Sequence, residues 1–198
     1  MTNIILVGNP NCGKTTLFNT LTKSNNHVGN WHGVTVSVAS KNLNYLNTQY
    51  YIHDLPGVYS LDGYSPEEKI ALEFLNKHKN DIVINVCDAN TLSRNLLLTL
   101  ELLQQGFRVV LAINMFSEVK SIDYKKLSKM LKIPVVLIDA RKKKCVADLF
   151  SKINACSNEK YDAPHLVNTQ NNIEQKSVKF NYINKVLNAC SKQEREPY

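Results

Sequence analysis

The 198-residue chain has no run of 18 or more apolar residues, so no segment of it is expected to span a bilayer. The N-terminal stretch Met1-Thr2-Asn3-Ile4-Ile5-Leu6-Val7 lacks a basic n-region and passes straight into a strand pattern, which excludes a signal peptide reading. No C-x-x-C pair occurs, and the five cysteines (Cys12, Cys87, Cys145, Cys156, Cys190) are odd in number. Free thiols in a reducing compartment fit this better than a disulfide framework or a zinc site. The five histidines are scattered, and His27 and His32 have no ligand spacing with cysteine or carboxylate, so no iron site is expected in this segment. The basic residues are not interleaved with aromatics. Net charge is +7, and the densest basic run, Arg141-Lys142-Lys143-Lys144, reads as a solvated loop. No internal repeat is visible.

What is present is an alternation of strand and helix. At 43% hydrophobic residues the chain can bury one substantial core. Apolar strand-like runs at Ile4–Val7, Ile82–Cys87, Val109–Ile113 and Val135–Ile138 suit parallel strands covered on both faces. Between them, helical spacing covers Thr15–Leu21, Pro66–His78, Leu92–Gln105, Asp123–Leu131 and Val146–Ala155. Ser65-Pro66 followed by Glu68 is a helix start, and Gly106 closes the helix before the next strand. Val34–Ser40 and Gln49–His53 are expected to form a hairpin across a short polar stretch. The sum is an α/β fold: an open sheet, mostly parallel with one antiparallel strand, helices on both faces and a short C-terminal helical appendage. Residues 1–156 form the main domain, 157–178 an Asn-, Gln- and Ser-rich linker, and 179–198 the appendage. There Phe180, Ile183, Leu187 and Cys190 line one helical face.

The chemistry falls on loops that follow strands. Gly8-Asn9-Pro10-Asn11-Cys12-Gly13-Lys14-Thr15 fits G-x-x-x-x-G-K-S/T without departure, and it leaves a strand and opens a helix. Backbone N–H groups of such a loop wrap phosphates, with Asn9, Pro10, Asn11, Cys12, Gly13, Lys14, Thr15 and Thr16 against the nucleotide. Lys14 would pair with the β- and γ-phosphates, and Thr15 would ligate Mg²⁺. Thr35, with Gly33 and Val34 before it, can supply a second Mg²⁺ ligand and a γ-phosphate contact. Alone it would be read as a strand residue. Asp54-Leu55-Pro56-Gly57 follows a strand: Asp54 can hold Mg²⁺ through water, and Gly57 can offer its N–H to the γ-phosphate. Asn114-Met115-Phe116-Ser117 stands where G proteins read the base, with Ser117 in place of the usual aspartate. Asp139-Ala140-Arg141 is a second base-contacting loop, with the Ala140 N–H expected to be free for a ring oxygen.

Three stretches carry a family resemblance. Val28-Gly29-Asn30-Trp31-His32-Gly33-Val34-Thr35-Val36, Asp54-Leu55-Pro56-Gly57-Val58-Tyr59-Ser60-Leu61 and Asp88-Ala89-Asn90-Thr91-Leu92-Ser93-Arg94-Asn95-Leu96 resemble the ferrous iron transport protein B family, as does the Pro10-Asn11 form of the P-loop. The likeness covers about residues 1–156. It implies a GTPase domain at the cytoplasmic face of a bacterial inner membrane. That domain would control an Fe²⁺-transporting membrane domain of the same polypeptide, with self-association as a further interaction and no nucleic-acid partner. It also implies K⁺ as activator, held by Asn11 and the backbone around Gly29 and Trp31. Lys14, Thr35, Gly57 and Asn11 would then carry catalysis. His32 replaces the family's usual proline and Ser117 its usual aspartate. The family's regulatory helical domain is reduced here to a segment in which Lys179-Phe180-Asn181-Tyr182-Ile183 resembles its final helix.

The expected activity is slow hydrolysis of GTP with Mg²⁺, with ATP and ADP accepted beside GTP and GDP. Val58 stands where many G proteins carry a water-positioning glutamine, so a nucleotide-sensing module without useful turnover is an alternative. A ribosome- or RNA-associated GTPase is a third reading, although no RNA-binding segment is appended.

Overall fold

In the computed structural model the described residues are 2–23, 38–114, 122–156 and 172–191. Six strands form one sheet in the order β2-β3-β1-β4-β5-β6. They are β1 (Thr2–Gly8), β2 (Ala39–Tyr45), β3 (Thr48–Asp54), β4 (Ile82–Asp88), β5 (Arg108–Asn114) and β6 (Val135–Ile138). Only β2 runs antiparallel to its neighbour; β3-β1-β4-β5-β6 are parallel throughout. The described helices are α1 (Lys14–Thr22), α2 (Pro66–Lys77), α3 (Leu92–Gln104), α4 (Tyr124–Leu131), α5 (Cys145–Cys156) and α6 (Asn172–Cys190).

Side chains of a strand alternate between faces, and β1 supplies both cores at once. Ile4 and Leu6 join Leu17 and Phe18 of α1 and Leu149, Phe150 and Ile153 of α5 on one face. Ile5 and Val7 join the leucines of α3 with Leu75, Leu127, Ile183 and Val186 on the other. Burial on both faces is why these strands read as nearly continuous apolar runs. The loops leaving β1, β3, β5 and β6 gather at one rim, where ligands of open α/β sheets bind.

Helix starts follow local chemistry. Ser65 caps α2: its hydroxyl accepts from the Glu68 N–H while Glu68 accepts from the Ser65 N–H, and Pro66 sits in the first turn. Asp123 caps α4 through the Lys126 N–H.

Two elements differ from the sequence expectation. The strand expected at Val34–Ser40 begins at Ala39 and continues through the polar Lys41-Asn42-Leu43-Asn44 to Tyr45, while residues 34–37 lie outside the described ones. An edge strand needs one partner and one apolar face. Ala39, Leu43 and Tyr45 supply that face at period two, against the core shared with α1 and α5. The last helix begins at Asn172, inside the stretch expected to be linker. Its early turns are held by ion pairs, Lys176 to Asp62 at 2.7 Å and Lys179 to Glu101 at 3.1 Å, which apolar periodicity does not register. Lower down, Ile183, Val186 and Cys190 are buried, and the Asp123 N–H donates to the Cys190 carbonyl at 2.7 Å.

Candidate functional site

The P-loop is shaped by two residues at positive φ, Asn11 at 65° and Gly13 at 93°. Asparagine tolerates this region; at Gly13 a side chain is excluded twice over. A Cβ there would lie 2.2 Å from Asn114 Nδ2. Gly13 is also the N-cap of α1, and no side chain caps that helix, so its first N–H groups face the loop as an anion site. Buried Asn9 keeps its Oδ1 without a hydrogen-bond partner among the described residues, an acceptor that a bound ligand can engage. Thr16 is half-buried in the first turn. Burial pushes the Cys12 thiol up to about 11, against the lowering influence of Lys14.

Asp54, at the end of β3, is the meeting point of the charged groups. Its Oδ1 accepts from the buried Lys14 ammonium, and its Oδ2 accepts from Thr15 Oγ1 at 2.9 Å. Three residues expected at the phosphate-and-magnesium site are therefore in direct contact. The Thr15 hydroxyl and the Asp54 carboxylate are hard oxygen donors side by side, a pair that fits Mg²⁺ with water completing its shell.

The segment after Asp54 folds back on the P-loop. Leu55 N–H donates to the Leu6 carbonyl and Val58 N–H to the Gly8 carbonyl, each at 3.1 Å. Between them Gly57 lies so close to Pro10 that a Cβ would stand 3.0 Å from the proline Cα. Gly57 is thereby seated beside the loop expected to hold phosphate. Val58 is buried in the core and points no group toward that site.

Asn114 ends β5 and ties two loops together. Its Nδ2 donates to the Cys12 carbonyl at 3.0 Å, and its Oδ1 accepts from the Ala140 N–H at 3.0 Å. The expectation of a free Ala140 N–H is thus corrected: Asn114 takes it. The neighbouring Arg141 N–H turns back to Asp139 Oδ1 at 3.2 Å. Asp139 also receives the Arg141 guanidinium on both oxygens, at 3.0 and 3.1 Å, and Lys142 at 3.2 Å. The Arg141 hydrogen bonds, first among several causes, hold its carboxyl well below the usual range. Gly29, Trp31, Gly33, Val34, Thr35, Met115 and Ser117 lie outside the described residues.

Two carboxylates do work here that their sequence positions do not announce: Glu68, expected only as part of a helix start, and Glu101. Glu68 accepts from Ser60 Oγ and the Tyr64 N–H, both at 3.0 Å, and Glu101 accepts from the Leu61 N–H at 2.8 Å. The signal for Glu101 was present: it is the lone acid in Leu96-Leu97-Leu98-Thr99-Leu100-Glu101-Leu102-Leu103. The Asp88–Leu96 motif finds a structural account. The Asp88 side chain accepts from the Asn90 N–H at 2.8 Å, and buried Asn95 bonds the Asp88 N–H and the Thr91 carbonyl.

Comparison with known proteins places this geometry. The model of the family described as ferrous iron transport protein B matches residues 2–153. An Fe(2+) transporter FeoB of Campylobacter jejuni is 46% identical over 154 residues, covering 76% of this chain and 25% of that protein. The chain thus spans about a quarter or less of the length of the curated relatives compared here. Among solved structures, the cytosolic domain of L. pneumophila FeoB aligns with a TM-score of 0.83 at 31% identity, over 97% of this chain and all of that one. A mutant of S. thermophilus NFeoB bound to GDP aligns with a TM-score of 0.72 at 41% identity, over 85% of this chain and 67% of that one. With its P-loop, Asp54 and Gly57 arranged as described, the chain belongs to the ferrous iron transport protein B family and carries that family's P-loop GTPase domain.

Proposed function

We propose that the chain is a slow GTP hydrolase whose nucleotide-dependent loops regulate an Fe²⁺-transporting membrane domain of the same polypeptide. The observation that carries this reading is the contact of Lys14 and Thr15 with Asp54 beneath a P-loop on which Gly57 rests. Lys14 exchanges Asp54 for the β- and γ-phosphates when nucleotide binds, and Gly57 lends its N–H to the γ-phosphate. Bound Mg²⁺ supplies neutralisation of the phosphate charge, held by Thr15, by Thr35 and, through water, by Asp54. The membrane domain would be the protein's own partner, with self-association as a second interaction. None of the described helices is long and apolar enough to cross a membrane.

Turnover is slow because Val58 is buried and orients no water, and an intrinsic rate on the order of 10⁻⁴–10⁻² s⁻¹ follows. K⁺ held by Asn11 and the backbone around Gly29 and Trp31 would offset charge developing between the phosphates. Base selectivity is relaxed, because Ser117 lacks the carboxylate that would go unpaired against adenine.

The test is calorimetric titration with GTP and ATP analogues, joined to phosphate release in K⁺ and in Na⁺. Lys14→Ala should weaken triphosphate binding tenfold or more, at about 1.5–3 kcal/mol per charge-assisted bond lost. Unchanged affinity would remove the P-loop assignment. Because Asn11 stands at positive φ, Asn11→Gly is the unstrained way to remove its amide, and it should abolish the K⁺ response. Equal parent rates in K⁺ and Na⁺ would refute the cation. Discrimination of GTP from ATP by many thousandfold would refute relaxed selectivity. A buried Val58 also suits a sensor with negligible turnover, and multiple-turnover phosphate release separates that reading from hydrolysis.

A further inference from the structure

The stretch from Gly57 to Ser65 is pinned at both ends. At its start, Gly57 and Val58 lie on the P-loop through the Pro10 contact and the Gly8 carbonyl. Further along, each attachment is a polar side chain of a helix. Tyr59 lies under the Arg94 guanidinium, 4.2 Å from the ring centre. Ser60, Tyr64 and Ser65 are gathered by Glu68 of α2. Asp62 pairs with Lys176 of α6 at 2.7 Å across a half-exposed contact.

The attachment at Leu61 is of a different kind, because it is buried. Its N–H donates to Glu101 Oε2 at 2.8 Å, and Glu101 Oε1 accepts from the Lys179 ammonium at 3.1 Å. Both side chains of the ion pair are almost wholly excluded from solvent. One carboxylate of α3 thus uses one oxygen on the loop and the other on α6. A buried ion pair is weak evidence for stability as such, since an apolar pair of the same shape often serves as well. Here one partner also holds a backbone N–H that an apolar replacement could not hold.

We propose that Glu101 is a positioning residue for the loop that presents Gly57 to the γ-phosphate, and that Lys179 of α6 keeps its carboxylate in place for that task; this rests on the γ-phosphate role proposed for Gly57. A loop held at Leu61 loses less freedom when Gly57 engages the terminal phosphate, so the contact favours triphosphate over diphosphate. The diphosphate has no γ-phosphate and draws nothing from it.

The experiment measures the ratio of affinities for a non-hydrolysable GTP analogue and for GDP. The full chain is compared with Glu101→Gln, Lys179→Met, the double variant and Gly57→Ala, each checked for cooperative unfolding. Each single change at the pair should lower the triphosphate-to-diphosphate ratio about five- to tenfold, with GDP affinity within about twofold of the parent. The double variant keeps an amide oxygen for Leu61 and leaves no buried charge alone, so its ratio should return to within about threefold. Where a single variant fails to fold, Glu101→Leu combined with Lys179→Met reports in its place: it leaves no buried charge and no acceptor for the Leu61 N–H, and its ratio should fall about five- to tenfold. Equal loss of both affinities, or no change in the ratio while Gly57→Ala lowers it, would overturn the inference and leave the Gly57 reading standing. A ratio unmoved by Gly57→Ala would instead overturn the Gly57 reading, and the inference with it.

Discussion

Asn114 shows how far a residue's position can be read while its work is missed. Its place after β5 marks it as a nucleotide-site residue, yet its amide is spent inside the protein, on the Cys12 carbonyl and the Ala140 N–H. It braces the P-loop against the loop after β6, and Gly13 must be glycine because this brace passes so close to it. Asn114→Ala should therefore cost stability as well as affinity, at about 1–3 kcal/mol for each buried group left without a partner. Asn114→Asp keeps an acceptor for Ala140 but turns a buried carboxylate oxygen toward the Cys12 carbonyl, so it should lose at least as much as Asn114→Ala. Urea unfolding of the two variants checks this; a smaller loss in Asn114→Asp would mean that the donation to Cys12 contributes little. Lys14 and Thr15 were singled out by the spacing of the P-loop pattern and Asp54 by its place at a strand end, and the structure brings the three into contact. The Ala140 contact was not legible in the sequence, because a backbone N–H is claimed by whatever side chain the fold brings to it.

At the scale of elements, the antiparallel hairpin shows what a pattern can and cannot carry. β2 and β3 are joined by Leu46 and Asn47, both at positive φ (47° and 62°), as a two-residue type I′ turn requires. An exposed leucine gains nothing in that conformation, and a β-carbon in the left-handed region costs on the order of 1–2 kcal/mol. Leu46→Asn should recover about 0.5–1 kcal/mol of this, read as a raised denaturant midpoint at unchanged slope. A lowered midpoint would mean that Leu46 makes a contact worth more than the strain. The parallel strands were found to within two residues at each end because both faces are buried and most of their side chains are apolar. The edge strand was misplaced because only alternate residues are apolar and only one neighbour pairs with it. The start of α6 was missed for a related reason: Lys176 and Lys179 hold its early turns by charge, and a hydrophobic period cannot see a lysine whose partner sits 78 positions away, as Glu101 does from Lys179.

Across the whole molecule, the two cores divide the labour. The face with α1 and α5 backs the P-loop, and the face with α3, α4 and α6 backs the segment that follows Gly57. Glu101 is the charged group on which the second face depends, and its titration offers a readout of how α6 is docked. Burial raises its carboxyl above the ordinary value of 4.5, while the Leu61 N–H and Lys179 pull it back down. A carboxyl raised on folding contributes stability below its unfolded value and loses that contribution as pH rises through the folded one. Lys179→Met removes one of the lowering influences, so the folded value moves higher still and the loss extends further toward neutral pH. At about pH 4.5 the parent and the variant should differ least, because a protonated Glu101 has little use for an ammonium partner. Toward about pH 8 the gap should widen to about 1.5–3 kcal/mol, the worth of a hydrogen bond to a charged group. Adding Glu101→Gln to Lys179→Met should close most of the gap and flatten its dependence on pH, since no carboxylate then remains to be charged. Thermal unfolding followed by circular dichroism across that range supplies the measurement. A gap that stays constant with pH would mean that Lys179 holds α6 through packing of its stem, and that the charge of Glu101 has no part in the docking.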